Sequence, residues 1–388
     1  MLKPITLAFS LFAAPLAAQQ CGGGFDAFVG ELSGEAIDMG YSPTTVRAFF
    51  DGAELDQAVL TADRSQGFFQ RDFIDFSRRL ISQNRIEKGR AQAQRQDAIF
   101  NRIEAEFGIP RGVLLAFWAF ETDFGAVQGD FNTLNALVTL SHDCRRPELF
   151  RPQVFAALEL FVRGDFDPAT TTGAWAGEIG MVQMLPGDIL ENGRDGDGDG
   201  QVTLKTSPQD ALLSGASVLS SLGWAPNQPW LQEVTVPDQM DWTLSGTHVK
   251  LPVAEWEGMG VRPLSGTLPN LPASLILPMG RKGPAFLAYP NFDVYFEWNQ
   301  SFVYVLTAAY FGTRLDEGAP LYNAGSPDAG LSGEQIRQLQ QKLQARGYDV
   351  GGADGILGAR TRVAVQAEQT RLGLPADAWP TPALLSAL

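Results

Sequence analysis

Apolar residues recur at helical spacing along the first half of the chain. Phe73, Phe76, Leu80 and Ile81 fall three and four apart within Asp72–Asn84, and Ile99, Ile103 and Phe107 repeat the pattern within Gln94–Phe107. Such spacing predicts amphipathic helices. Gly108 stops one helix, and Pro110 suits the first position of the next. The same periodicity predicts helices over 132–142, 147–163 and 208–222. From 223 to 290 Pro and Gly become frequent and short Val/Leu/Thr runs alternate with Trp, which reads as irregular strands and loops. A last apolar helix is expected at about 299–312, followed by a linker by composition at 314–330 (RLDEGAPLYNAGSPDAG). Beyond it lies a compact block, 331–388. There Ile336, Leu339 and Leu343 mark one helix, Gly347 ends it, the turn DGILG (354–358) leads to a second, and a short third follows Pro380. The expected class is mainly α (α+β), with a small irregular β part and a C-terminal three-helix module.

Composition narrows the function. The chain has 388 residues, 45% hydrophobic and 19% charged, with a net charge of −15. That length suggests two or three domains. The charge leaves no basic stripe for nucleic acid and disfavours anionic lipid. MLKPITLAFSLFAAPLAAQQ places one Lys ahead of an apolar run and a small-residue exit at Ala17 and Ala18, the pattern of a secretory signal over residues 1–18. Gln20, large and polar before Cys21, argues for soluble export over lipidation. Cys21 and Cys144 are the only cysteines. In an exported chain they are expected to pair, the alternative being one buried and one exposed thiol.

The stretch AFWAFETDFG (116–125) carries the most informative residue. On a helix starting near Pro110, Leu114, Phe117 and Glu121 share one face, so Glu121 ends an apolar stripe. Desolvation and the negative end of the helix dipole both raise its pKa. A carboxyl group held neutral near neutral pH is what general-acid cleavage of a glycosidic bond requires. Asp123, two residues on, points elsewhere and cannot complete a close pair. The plain alternative is a glutamate at a helix end, exposed or paired with Arg.

Four ordered segments give that residue a context. ETDFG (121–125), NTLNALVTLSHDCRRPELF (132–150), GAWAGEIGMVQMLPGDIL (173–190) and PNFDVYFEWNQSFVYV (290–305) resemble the lytic murein transglycosylase B family of bacterial cell-wall enzymes. The resemblance covers roughly 24–312 and implies a lysozyme-like helical catalytic domain over 19–313. It makes Glu121 the acid/base, places Gln183 at the family's active-site Gln and Asn299 at the Asn facing the glutamate, and puts Trp298 where an aromatic lines the saccharide cleft. Met184-Leu185-Pro186-Gly187-Asp188 departs from the family's Phe-Met-Pro-Ser-Ser, so hydroxyl contacts are lost or replaced. Glu178 stands where many members carry Ala; it is a second charge near the cleft or a solvent-facing residue.

The implied chemistry is non-hydrolytic. Glu121 protonates the oxygen leaving C1 of N-acetylmuramic acid, then takes a proton from the sugar's C6 hydroxyl, closing a 1,6-anhydro ring. Gln183 and Asn299 would position substrate and steady developing charge. A water-using muramidase of the lysozyme type and a non-catalytic wall-binding scaffold remain the alternatives.

DGDGDGQVTL (195–204) sets Asp195, Asp197 and Asp199 at positions 1, 3 and 5 of an EF-hand-like loop, with Gly200 at 6 and the Gln201 carbonyl at 7. Position 12 is Thr206 rather than the closing Glu; the resembled family implies a later Asp, here Asp210. The expected ligand is a structural Ca²⁺, the alternative a solvated Asp-Gly turn. No organic cofactor is expected, and His142 and His248 are too far apart for a zinc triad. His142 is expected to pack or hydrogen-bond beside Cys144.

Residues 331–388 resemble a peptidoglycan-binding-domain-1-like module through LQQKLQARGYDVGGADGILGARTRVAV (339–365), Gly373-Leu374 and TPALL (381–385). Glu368 departs from it, standing where an aromatic is usual. The implied role is tethering to the wall, against an appendage that binds nothing. Together these readings imply a periplasmic, soluble monomer acting on peptidoglycan glycan strands without nucleic acid, with wall-synthesis or division proteins as the implied partner class.

Overall fold

The computed structural model describes residues 21–65 and 71–388; the secretory-signal reading of 1–18 lies outside the described residues. Short polar residues start the N-terminal helices. After α1 (Phe25–Asp38), Ser42, Asp56, Asp72 and Ser82 each accept a backbone N–H at the start of α2 (Pro43–Phe50), α3 (Gln57–Arg64), α4 (Phe73–Leu80) and α5 (Gln83–Arg95). The continuous pattern over Asp72–Asn84 is therefore split, because α4 stops at Leu80 with Ile81 as its C-cap and Ser82 caps the next helix. Gln96, outside helical φ/ψ, likewise separates α5 from α6 (Asp97–Phe107). Gly108 closes α6 in the left-handed region at φ 62°. Pro110 is extended and sits one residue before α7 (Arg111–Thr122), where it had been expected to open the helix itself.

Helix α7 is the central element. Eight consecutive residues, Gly112–Ala119, are buried, as expected of a helix apolar on all sides. Gly112 lets it approach α14 (Phe302–Asp316): a Cβ there would sit 2.4 Å from the Gly312 carbonyl oxygen. Around this pair pack α8 (Thr133–His142), α9 (Pro147–Arg163), α10 (Pro186–Asn192) and α11 (Pro208–Ser221). A two-stranded ribbon joins β1 (Phe131–Asn132) to β2 (Thr172–Gly173).

The irregular region forms a five-stranded antiparallel sheet. Its strands are β3 (Leu231–Thr235), β4 (Leu251–Pro252), β5 (Arg262–Pro263), β6 (Pro272–Ile276) and β7 (Phe286–Ala288), in the order β4-β6-β7-β3-β5. With α12 (Val253–Gly258) it encloses its own apolar cluster around Trp242, Trp256, Leu275, Leu287 and Tyr289. The last helix of this part differs from expectation. It is two helices, α13 (Pro290–Trp298) and α14, because Asn299 is extended (φ −148°, ψ 130°) and its Oδ1 accepts the Ser301 N–H at 2.8 Å. Trp298 and Asn299 consequently lie at a break in the chain.

The C-terminal block holds α15 (Gly333–Ala345), α16 (Ala359–Arg371) and α17 (Pro382–Ala387) around Ile336, Leu339, Leu343, Val365 and Leu384. It is docked on the larger part. Gln366 donates to the carbonyls of Trp242 (3.0 Å) and Ser245 (2.9 Å), Arg281 pairs with Asp377 at 3.1 Å, and the Arg362 guanidinium lies 4.4 Å over the Phe302 ring. Glu368 is buried and paired with Arg371 at 2.7 Å. The missing aromatic is thus replaced by an internal ion pair.

Cys21 and Cys144 form a disulfide with Cα atoms 5.2 Å apart, closing 123 residues. By chain entropy such a loop is stabilised by roughly 4–5 kcal/mol. His142 packs edge-on against Phe25 and Phe28 and hydrogen-bonds the Gly23 carbonyl at 3.1 Å, fixing the start of the described chain.

Candidate active site

Glu121 sits in the last turn of α7. Apolar burial below it and a left-handed exit after it (Asp123 φ 50°, Phe124 φ 63°) leave its carboxyl at the end of a buried stripe. Two donors converge on one oxygen. The Tyr304 hydroxyl of α14 and the Trp298 indole N–H, the latter at 3.2 Å, both reach Oε1. Among the described residues Oε2 has no protein partner. Trp298 is held for this contact by stacking on Phe117, with ring centroids 4.4 Å apart. Desolvation, reinforced by the like charge of Glu178 and opposed by the Tyr304 and Trp298 hydrogen bonds, raises the Glu121 carboxyl to about 7. Burial and the neighbouring Glu121 push the Tyr304 hydroxyl well up, so it stays a donor. Asp123 turns away, bound by Arg85 at 3.1 Å and Lys88 at 2.7 Å on α5.

A loop between β2 and α10 faces this end of α7. The Thr122 hydroxyl donates to the Met181 carbonyl at 2.7 Å, and the backbones of Ile179 and Met184 bond each other in both directions. Gln183 occupies the left-handed region at φ 54°, a conformation costly for a non-glycine residue and frequent at functional sites. Its side-chain NH₂ donates to the Gly180 carbonyl at 2.8 Å and to the Gln128 carbonyl at 3.3 Å. That leaves its Oε1 to receive donors. The departure at Gly187 is compensated locally, because its N–H donates to Gln153 Oε1 at 2.8 Å. Glu178 is turned inward, with one carboxylate oxygen fully shielded.

Trp298, expected to line the saccharide cleft, donates its indole N–H to Glu121 Oε1. The Asn299 Oδ1 accepts the Ser301 backbone N–H at 2.8 Å, leaving its NH₂ as the side chain's donor. Tyr304 lies in the quoted segment 290–305, next to its last residue, but only the fold shows that it meets Glu121 across 183 residues of chain.

The acidic loop partly matches expectation. Asp195, Asp197 and Asp210 each offer an oxygen within 4.8 Å of the others, and no basic side chain pairs with them among the described residues. Asp210, wholly buried, also accepts the N–H groups of Gly196 (2.9 Å) and Thr203 (2.7 Å). Asp199 lies outside this group; like Asp195 and Asp197 it caps the turn, its Oδ1 accepting the Gln201 N–H at 2.8 Å.

The Transglycosylase SLT domain family matches residues 24–313, and the peptidoglycan binding domain family matches 332–388. The structure of SltB3 from Pseudomonas aeruginosa in complex with NAG-anhNAM-pentapeptide is similar at 35% identity and TM-score 0.86, covering 94% of this chain and 99% of that one. Membrane-bound lytic murein transglycosylase B of Escherichia coli is 25% identical over 245 residues, 63% of this chain and 67% of that protein. The Escherichia coli lytic transglycosylase Slt35 in complex with calcium, at 22% identity and TM-score 0.66 over 77% of this chain and 96% of that one, shares the fold. The larger part of the molecule thus has the lysozyme-like fold of these proteins.

Proposed function

We propose, for a chain that belongs to the Transglycosylase SLT domain family and is a lytic transglycosylase acting on peptidoglycan, that Glu121 is its single acid/base. The observation that carries this reading is the pair of donors on the oxygen Oε1 of a desolvated Glu121 carboxyl. With Oε1 engaged by Tyr304 and Trp298, the proton of the neutral acid belongs on Oε2, free to pass to the glycosidic oxygen. Once ionised, the same oxygen accepts the proton of the muramyl C6 hydroxyl as it attacks C1. The leaving sugar gains one proton and the anhydro ring releases one, so no water is consumed.

Gln183 Oε1 and the Asn299 side-chain amide orient the saccharide, and their dipoles offset charge developing at the ring. Asp195, Asp197 and Asp210 fit a hard cation through carboxylate oxygens, with Ca²⁺ the ion their chemistry favours. Its part would be structural: neutralising like charges and fixing the start of α11. The C-terminal block, 331–388, raises the local concentration of glycan at the cleft. No described helix is long and apolar enough to cross a membrane. The leader pattern in 1–18 and the peptidoglycan substrate support action in the periplasm.

Digestion of purified sacculi tests the reading. Wild type should release muropeptides with anhydro ends, one water lighter than reducing ends by mass spectrometry, while Glu121→Gln should lose at least about 10³-fold in rate. Products with only reducing ends would mean hydrolysis, release by neither protein would leave a binding protein, and equal release by both would remove Glu121 as the acid.

A further inference from the structure

A cavity of about 420 Å³ lies at the joint between the C-terminal block and the larger part. Gln300, Ser301, Phe302 and Val303 line it from the larger part. Gln300 follows Asn299 in the chain, so this lining continues the break that carries Trp298 and Asn299. The block contributes Gly352 and Gly358, each with open space where a Cβ would sit, so main chain is left uncovered there. Leu331, Ile336, Val350, Leu357 and Trp379 make the rest largely apolar. Such a volume with a mixed lining suits a small ligand.

Two positive features meet in this lining without a counter-charge. One is the start of α14, a helix of 15 residues. Ser301, its N-cap, makes no side-chain cap, and the Ser301 N–H is taken by Asn299 Oδ1. The N–H groups of Phe302, Val303 and Tyr304 therefore find no acceptor among the described residues. An uncapped helix start carries partial positive charge and favours an anion. The other feature is Arg362 of α16, only 8% exposed. Its Nη2 donates to the Pro278 carbonyl at 2.8 Å and its guanidinium lies over the Phe302 ring, but its Nε is shielded with no hydrogen-bond partner. No carboxylate pairs with Arg362 among the described residues; Asp377 of the same block is bound by Arg281. The other charged groups of the lining are engaged: Arg71 with Asp75, Arg360 with Asp349, Asp72 in capping α4, and Asp354 by Gln340 at 2.9 Å. A buried guanidinium without a carboxylate is costly, and its place beside a helix start adds repulsion. One anion held by both features relieves both.

We propose that this cavity is a second substrate site, built jointly by α16 and the start of α14, that takes the terminal carboxylate of a peptide branch of peptidoglycan. This rests on peptidoglycan as the substrate and is independent of the role of Glu121. The branches end in carboxylates, and small apolar side chains suit the lining, which a bare inorganic anion would leave unused. A branch whose terminal carboxyl is consumed in a cross-link lacks the group recognised, so the site favours branches that are not cross-linked there. Neither part of the molecule makes the site alone.

Isothermal titration of the full chain with a peptidoglycan-derived pentapeptide tests this, against the same peptide amidated at its C-terminus. The acid should bind saturably, and the amide about tenfold or more weakly. Arg362→Met, which keeps an apolar stem against Phe302 and drops the charge, should weaken the acid about tenfold and bring it level with the amide. Ser301→Asp gives α14 a carboxylate cap of its own that competes for the same N–H groups. It should weaken the acid by a similar factor while holding or raising the thermal midpoint, which separates lost binding from lost folding. Equal binding of acid and amide, no saturable binding of the acid, or full binding by Ser301→Asp would overturn the inference. The proposed chemistry fails separately: anhydro products from sacculi without peptide binding would remove this site alone, and peptide binding with only reducing ends would remove the anhydro-forming reaction alone.

Discussion

At the scale of single residues, the cleft trades stability for chemistry. The buried, raised carboxyl of Glu121 was legible in the sequence because a carboxylate ending an apolar helical stripe is conspicuous, while Gln183 and Asn299 rest on the motifs that carry them. Tyr304 and the inward turn of Glu178 were not legible, because each depends on which side chain a distant segment presents. The cost of Glu121 can be read from pH. Its folded carboxyl is raised from 4.5 to about 7, so ionisation is harder in the folded than in the unfolded chain. The folded state is therefore undisturbed below pH 4.5 and loses stability as pH rises through 7. At about 1.4 kcal/mol per unit, the loss is roughly 3 kcal/mol, an upper figure. Glu121→Gln, which cannot ionise, should match wild type in urea unfolding at pH 4 and exceed it at pH 8 by up to that amount. A variant equally or less stable at both values would contradict the buried, raised carboxyl.

Elements show where local pattern stops being enough. Helices α8, α9 and α11 follow their apolar periodicity closely, but the pattern over 72–84 ran through a cap at Ser82, and the pattern near 299 ran past a break at Asn299. In both cases one short polar side chain bonding to nearby backbone outweighed continuous apolar spacing. The acidic loop belongs to this scale as well. Of the carboxylates expected to converge, Asp195, Asp197 and the buried Asp210 from the next helix do, and Asp199 stands outside them. Because Asp210 both caps the loop and completes the acidic group, Asp210→Asn should lower the thermal midpoint and also abolish any rise on adding Ca²⁺. Wild type should show a saturable rise with millimolar Ca²⁺, reversed by chelator. No Ca²⁺ effect on wild type would make the loop a solvated turn.

For the whole molecule, the two parts form a joint surface that composition did not disclose; the sequence suggested a free module on a linker. Trp379 anchors it, buried with its indole N–H on the Asp328 carbonyl at 2.9 Å and its ring against Gly330. Trp379→Ala should loosen the module at a cost of roughly 3 kcal/mol and open residues 317–331 to limited proteolysis, while wild type resists cleavage there. The disulfide at the opposite end has a different consequence. It binds the segment preceding α1 to Cys144, next in sequence to Arg145 and Arg146, whose guanidiniums grip Asp63. Maturation of this corner therefore waits on an oxidant. A nascent copy in a thiol-rich compartment lacks the covalent lock on its first helix, and the finished enzyme is completed where its sulfurs can join.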